Sequence, residues 1–249
     1  MGSLIDAETV GKPRVLAILI AAVLGFFTGQ IVATLFDALA VQVTSYPGGL
    51  NALSHASSPP WWSNALGLGG LWIGFGATIY YAYTHGHLRN LPAQWRARPS
   101  DVMYVVLGVA CQFFVDLAYQ PFHVQHLNRP VNHLFGAAHG VTFVLLIVMT
   151  MFLAPIMEEW FFRGVLFRAL SEGGARGGSR PAVVGAVLVS ALLFALAHGE
   201  PLQFAGLAFV GIVLAMLVNR TKRLIPSIVT HVSFNGVAIA ALVSQRNGH

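Results

Sequence analysis

The chain has 249 residues, of which 56% are hydrophobic and 9% charged, and its mean hydropathy is +0.69. A soluble globule cannot hide that much apolar surface, so the composition excludes one and points to a chain that faces lipid. The net charge of +5 and the pI near 9.8 do not mark a nucleic-acid partner, because the basic residues sit in short hydrophilic joints and not in a patch among aromatics.

A transmembrane helix needs about 20 mostly apolar residues to cross a hydrocarbon core roughly 30 Å thick. Segments of that kind run from Val15 to Phe36, Asn64 to Thr84, Val102 to Tyr119, Ala138 to Met157, Pro181 to Ala197, Pro201 to Val218 and Leu224 to Val243. The expected fold is all-α, a polytopic transmembrane helix bundle with about seven or eight spans. Residues 1–137 form the N-terminal helices and loops of this scheme, and 138–249 its chemical core.

The first span follows Lys12 and Arg14, and Ala38-Leu39-Ala40 looks like a signal cleavage site. Its apolar run exceeds the roughly 7–15 residues of a signal peptide, so it reads as a retained helix. Pro47, Gly48, Gly49, Pro59 and Pro60 make the next joint a loop, which Trp61 and Trp62 anchor at the interface. Gly67, Gly69, Gly70, Gly74 and Gly76 in the second span predict close helix packing. Cys111, the single cysteine, lies in an apolar run and reads as a small buried side chain.

His123, His126, His133 and His139 follow, with a spacing that matches no standard metal pattern. From Ala138 the apolar pattern runs past Pro155 to Leu170, as one kinked helix or two shorter ones. Ser171 to Arg180 is glycine-rich and reads as a flexible cytoplasmic loop. No internal repeat is visible, so an inverted-repeat transporter finds no support.

Lys12 and Arg14, then Arg89, Arg96 and Arg98, then Arg176 and Arg180, then Arg220, Lys222 and Arg223 make alternate joints basic, whereas Asn51 to Ser63 holds no Lys or Arg. That alternation puts the N-terminus in the cytoplasm of a multi-pass protein of the cell membrane.

Ionisable groups inside a membrane cost at least a few kcal/mol each, so those in the later spans are functional candidates. In Glu158-Glu159-Trp160-Phe161-Phe162-Arg163, helical geometry pairs Glu159 with Arg163 on one face and leaves Glu158 without a partner. An unpaired carboxylate in a poorly hydrated site suits proton transfer at cellular pH. His198 shares a face with Phe194 at a helix end that Gly199 can cap, and His231 shares one with Asn235, a pair of donors suited to an oxyanion or to an interhelical hydrogen bond. Counted along the spans, Glu158, His198 and His231 differ in depth by roughly 20 Å. The depths meet only if the helix bearing Glu158 runs on to Leu170, the span before His198 starts deeper and the helices tilt.

A double glutamate followed by three residues and arginine, then Phe-x-x-x-His, then His-x-x-x-Asn, together resemble the CAAX protease and bacteriocin-processing family. All three motifs stand here in order on separate spans, within Ala138 to Val243. The resemblance implies an all-helical glutamic intramembrane endopeptidase acting on a membrane-embedded or lipidated peptide or protein. In it Glu158 with His198 activates water, His231 with Asn235 holds the oxyanion, and Glu159 and Arg163 orient Glu158. It implies no cofactor; zinc on two histidines and a glutamate is the less favoured variant, since His-Glu-x-x-His is lacking. The rival readings are a non-catalytic immunity or scaffold protein of the same fold and a transporter whose path includes Asp116.

Overall fold

The computed structural model describes residues 12–85, 95–122, 129–173 and 178–247. In chain order its helices are α1 (Lys12–Thr44), α2 (Gly49–Ser54), α3 (Trp61–Thr84), α4 (Tyr104–Tyr119, entered through the 3-10 turn Pro99–Met103), α5 (Arg129–Phe135), α6 (Gly140–Glu172), α7 (Arg180–Ala197), α8 (Phe204–Thr221) and α9 (Ile225–Asn247). Among the described residues seven helices are long and apolar enough to cross a membrane, which makes the protein an all-α, multi-pass membrane protein. Large side chains such as Leu24, Phe27, Ile31 and Leu39 on α1 and Phe113 and Leu117 on α4 stand on the outside, where lipid covers them. His123, His126, Arg89 and Arg176 lie outside the described residues.

Of the glycines in the second span, two do the packing the sequence predicts. A Cβ on Gly74 would collide with the Gly25 carbonyl, and one on Gly70 would come within 2.6 Å of the Ala33 amide nitrogen, so α1 and α3 meet backbone to backbone. Thr78 reinforces the contact by donating to the Ala21 carbonyl at 2.9 Å. Gly67, Gly69 and Gly76 face open space. Cys111 is buried, packed with Val115, Val210 and Leu214 between α4 and α8.

The stretch after Ala138 is one continuous helix. Pro155 has no amide proton to give Met151, and α6 absorbs this with a π turn over Met149–Leu153, where the Ala154 N–H reaches back to the Met149 carbonyl. A second π turn spans Trp160–Phe167. This continuity carries Glu158 away from a helix end and into the middle of the bundle. It eases the depth mismatch that span counting gives.

The staggered turns ease it further. Leu224, at the α8–α9 turn, packs with Ala186 and Val187, well inside the start of α7. At the opposite end the α7–α8 turn stops short, while α9 continues roughly four turns past His231 and packs Ile239 and Leu242 against Phe135 and Ala138. Polar ties hold the two ends. Arg223 grips Asp101 in a bidentate pair at 2.6 and 2.8 Å and also donates to the Arg96 carbonyl at 2.9 Å. Arg246 donates to the Phe135 and Ala138 carbonyls at 2.6 and 3.2 Å.

Gly74→Ala is expected to lower stability by about 1–3 kcal/mol through overpacking. Gly67→Ala, where the space is open, should stay within about 0.5 kcal/mol or gain slightly. Thermal unfolding in detergent checks the pair, and equal midpoints for the two variants would refute the close approach of α1 and α3.

Candidate active site

The deepest element of the site is an ion pair on α6. Glu159 and Arg163, four residues apart, meet at 2.8 Å with both side chains fully buried. Such a pair survives out of water only if its remaining hydrogen-bonding capacity is met. Arg163 also donates to the Gly211 carbonyl of α8 at 3.1 Å and lies over the Phe194 ring of α7, 4.4 Å from its centroid. The Gly211 carbonyl is within reach because that residue has no side chain: a Cβ there would sit 2.9 Å from the Ala191 Cα. Glu159 accepts the Ser227 hydroxyl proton and, at 3.0 Å, the His231 Nδ1–H, both from α9.

These contacts fix the ring of His231. A carboxylate paired with arginine only accepts, so Nδ1 carries the proton and Nε2 points the other way. There it meets Glu158, whose Oε2 lies 3.7 Å from Nε2 and whose side chain is 14% exposed. His231 therefore sits between the two glutamates, buried on one side and open to a cavity on the other.

That cavity, of about 380 Å³, is lined by Glu158, His198, His231 and Asn235 together. His198 is exposed at the end of α7, and its Nδ1 donates to the Phe194 carbonyl at 2.8 Å, which leaves Nε2 as an acceptor toward the hollow. Asn235 donates one of its two amide protons to the Thr150 carbonyl at 3.1 Å, in the first π turn of α6, and keeps the other for the cavity. Apolar walls come from Leu68, Val115, Leu207, Phe234 and Ile239.

Two sequence expectations change. Glu158 is not without a partner, since His231 faces it, and the Glu159–Arg163 pair orients His231 and not Glu158. Sequence reasoning also missed Ser227, although it stands four residues before His231, as Asn235 stands four after, in one stripe along α9. Gln112, Asp116 and Tyr119 of α4 and His133 of α5 bring the N-terminal half into the wall, with Gln112 donating to Asp116 at 2.9 Å.

Zinc would need three protein donors converging with an open fourth position. Among the described residues no group of three or more His, Cys, Asp or Glu side chains is placed to hold a metal ion. His231 Nδ1 is committed to Glu159, so only Nε2 of that ring faces the cavity. His133 instead has Nε2 3.2 Å from the Ala56 carbonyl.

Fold and site together define a class: a polytopic helical membrane protein with a carboxylate and imidazole cavity built into its bundle. Residues 134–237 match the family model described as type II CAAX prenyl endopeptidase Rce1-like. The chain is 34% identical over 88 residues to the membrane-embedded CAAX protease MroQ of Staphylococcus aureus (strain USA300), a match covering 35% of each chain. It is 26% identical over 205 residues to a protein of Bacillus subtilis (strain 168) named as a membrane peptidase, YdiL, covering 78% of this chain and 80% of the relative. The chain thus spans about a third of the first relative's length and most of the second's. No solved structure matches.

Arg163→Met leaves Glu159 buried beside an apolar side chain and should destabilise the bundle by about 3–5 kcal/mol. Adding Glu159→Met should restore much of that loss while leaving His231 without its anchor. Unfolding midpoints of the two variants check this, and a double variant no more stable than the single one would refute the pairing as the cause.

Proposed function

We propose that the protein is a glutamic intramembrane endopeptidase that hydrolyses a peptide bond in a membrane-associated or lipidated protein or peptide. The observation that carries this reading is the convergence of Glu158, His198, His231 and Asn235 on one cavity, backed by the Glu159–Arg163 pair. The similarity to membrane peptidases and a CAAX protease supports the same chemistry.

Water held between Glu158 and His198 Nε2 gives a proton to Glu158 as its oxygen bonds to the substrate's carbonyl carbon. The carbonyl oxygen becomes an oxyanion. His231, set between two carboxylates, and the spare amide proton of Asn235 stabilise that oxygen from fixed positions, a contribution of about 3 kcal/mol per donor in hydrolases. The proton on Glu158 then passes to the amide nitrogen, the C–N bond breaks, and an acid and an amine leave. Each step uses side chains alone, and no metal takes part.

The apolar walls suit a hydrophobic segment, and they leave prenylated proteins, secreted peptide precursors and sorting tails as substrates of the same kind. The N-terminus lies in the cytoplasm in this reading, which the basic joints support.

Purified protein in proteoliposomes is expected to cleave a membrane-tethered peptide, and Glu158→Gln to reduce the rate by at least about 100-fold at unchanged stability. His198→Ala should fall by a similar factor. Cleavage that survives Glu158→Gln would contradict the assignment. Chelation by 1,10-phenanthroline should leave the rate unchanged, and a loss reversed by zinc would contradict the metal-free mechanism.

A further inference from the structure

We infer that the cavity opens on the extracytoplasmic face of the membrane, so that the segment the protein cleaves is one presented from outside the cell or in the outer leaflet. The substrate half of this inference rests on the peptidase reading. The orientation of the cavity does not.

Seven crossings place consecutive helix ends on alternate faces. One face gathers the ends of α3, α6 and α8 and the starts of α4, α7 and α9. Among the described residues every Lys and Arg outside the bundle interior belongs to this face or to the segment entering α1, except Arg129 and Arg246. Arg246 is itself bound to two backbone carbonyls. The other face carries the loop with Trp61 and Trp62 and the α7–α8 turn, which has Glu200 and neither Lys nor Arg. A bias of this size assigns the basic face to the cytoplasm.

The cavity belongs wholly to the other face. Its rim is Tyr119 at the end of α4, His133 in α5, His198 at the end of α7, Glu200 and Gln203 in the α7–α8 turn, and Gly206 at the start of α8. The opening exists because that turn stops short while α9 continues roughly four turns past His231 and α6 starts roughly five turns before Glu158. Inward, the lining ends at Glu158 and His231. Beneath them Glu159, Arg163 and Phe194 are fully buried and close the way to the basic face. Polar side chains at the rim and apolar walls further in fit a substrate that crosses from an aqueous surface into the bilayer.

Two single-cysteine variants in a Cys111→Ala background test the orientation without relying on catalysis. Leu202→Cys stands exposed beside the rim, and Lys222→Cys stands exposed on the basic face. In intact cells a membrane-impermeant maleimide is expected to label Leu202→Cys fully and to label Lys222→Cys only after permeabilisation. The reverse pattern would overturn the inference. A peptide with an apolar segment and a charged tail, added to sealed vesicles, then tests the substrate. Cleavage in right-side-out vesicles with none in inside-out ones is expected, and the opposite result would overturn it. Failure to cleave in either vesicle, with the labelling as expected, would overturn the peptidase reading and the substrate half with it, while the orientation stood.

Discussion

A salt bridge with no access to water, Glu159 with Arg163, is the constraint around which the site is built. Removing two charges from water is expensive, and the structure offsets it with contacts from three other helices, the Gly211 carbonyl of α8, the Ser227 hydroxyl and His231 ring of α9, and the Phe194 face of α7, although Arg163 Nε is left without a hydrogen-bond partner. Each of those contacts is also a positional restraint. The pair fixes which nitrogen of His231 faces inward, and so which one faces Glu158 and the cavity.

The second constraint is that α6 must bring Glu158 to the middle of the bundle while remaining unbroken. Two π turns do this, one beside Pro155 and one just after Glu159. A π turn re-aims the side chains that follow it and frees a carbonyl from the regular pattern. Thr150, in the first of them, supplies the carbonyl that holds Asn235. The short α7–α8 turn then leaves the space above these residues unfilled, and the cavity is the result.

Much of this was legible in the sequence. Hydropathy and length gave seven spans, because in lipid every backbone group must be bonded within a helix and the pattern has little freedom. The i, i+4 pairing of Glu159 with Arg163 and the shared face of His231 and Asn235 follow from helical geometry alone. What could not be read was which groups meet between helices. Glu158 looked unpartnered because its neighbour His231 lies 73 positions along the chain and 3.7 Å away. The depth conflict arose from the regular rise assumed for each span, which neither the π turns nor the staggered α8–α9 turn obey. Ser227 carried a usable signal in its spacing before His231, yet a lone serine in an apolar helix is too common to single out.

The most direct test of the account is comparative mass spectrometry of protein termini in membranes from cells carrying the wild-type protein or Glu158→Gln at equal abundance. The account requires termini that appear with the wild type and vanish with the variant, mapping within or beside apolar segments. Identical sets of termini from the two membranes, in cells where the wild-type protein produces its phenotype, would contradict it.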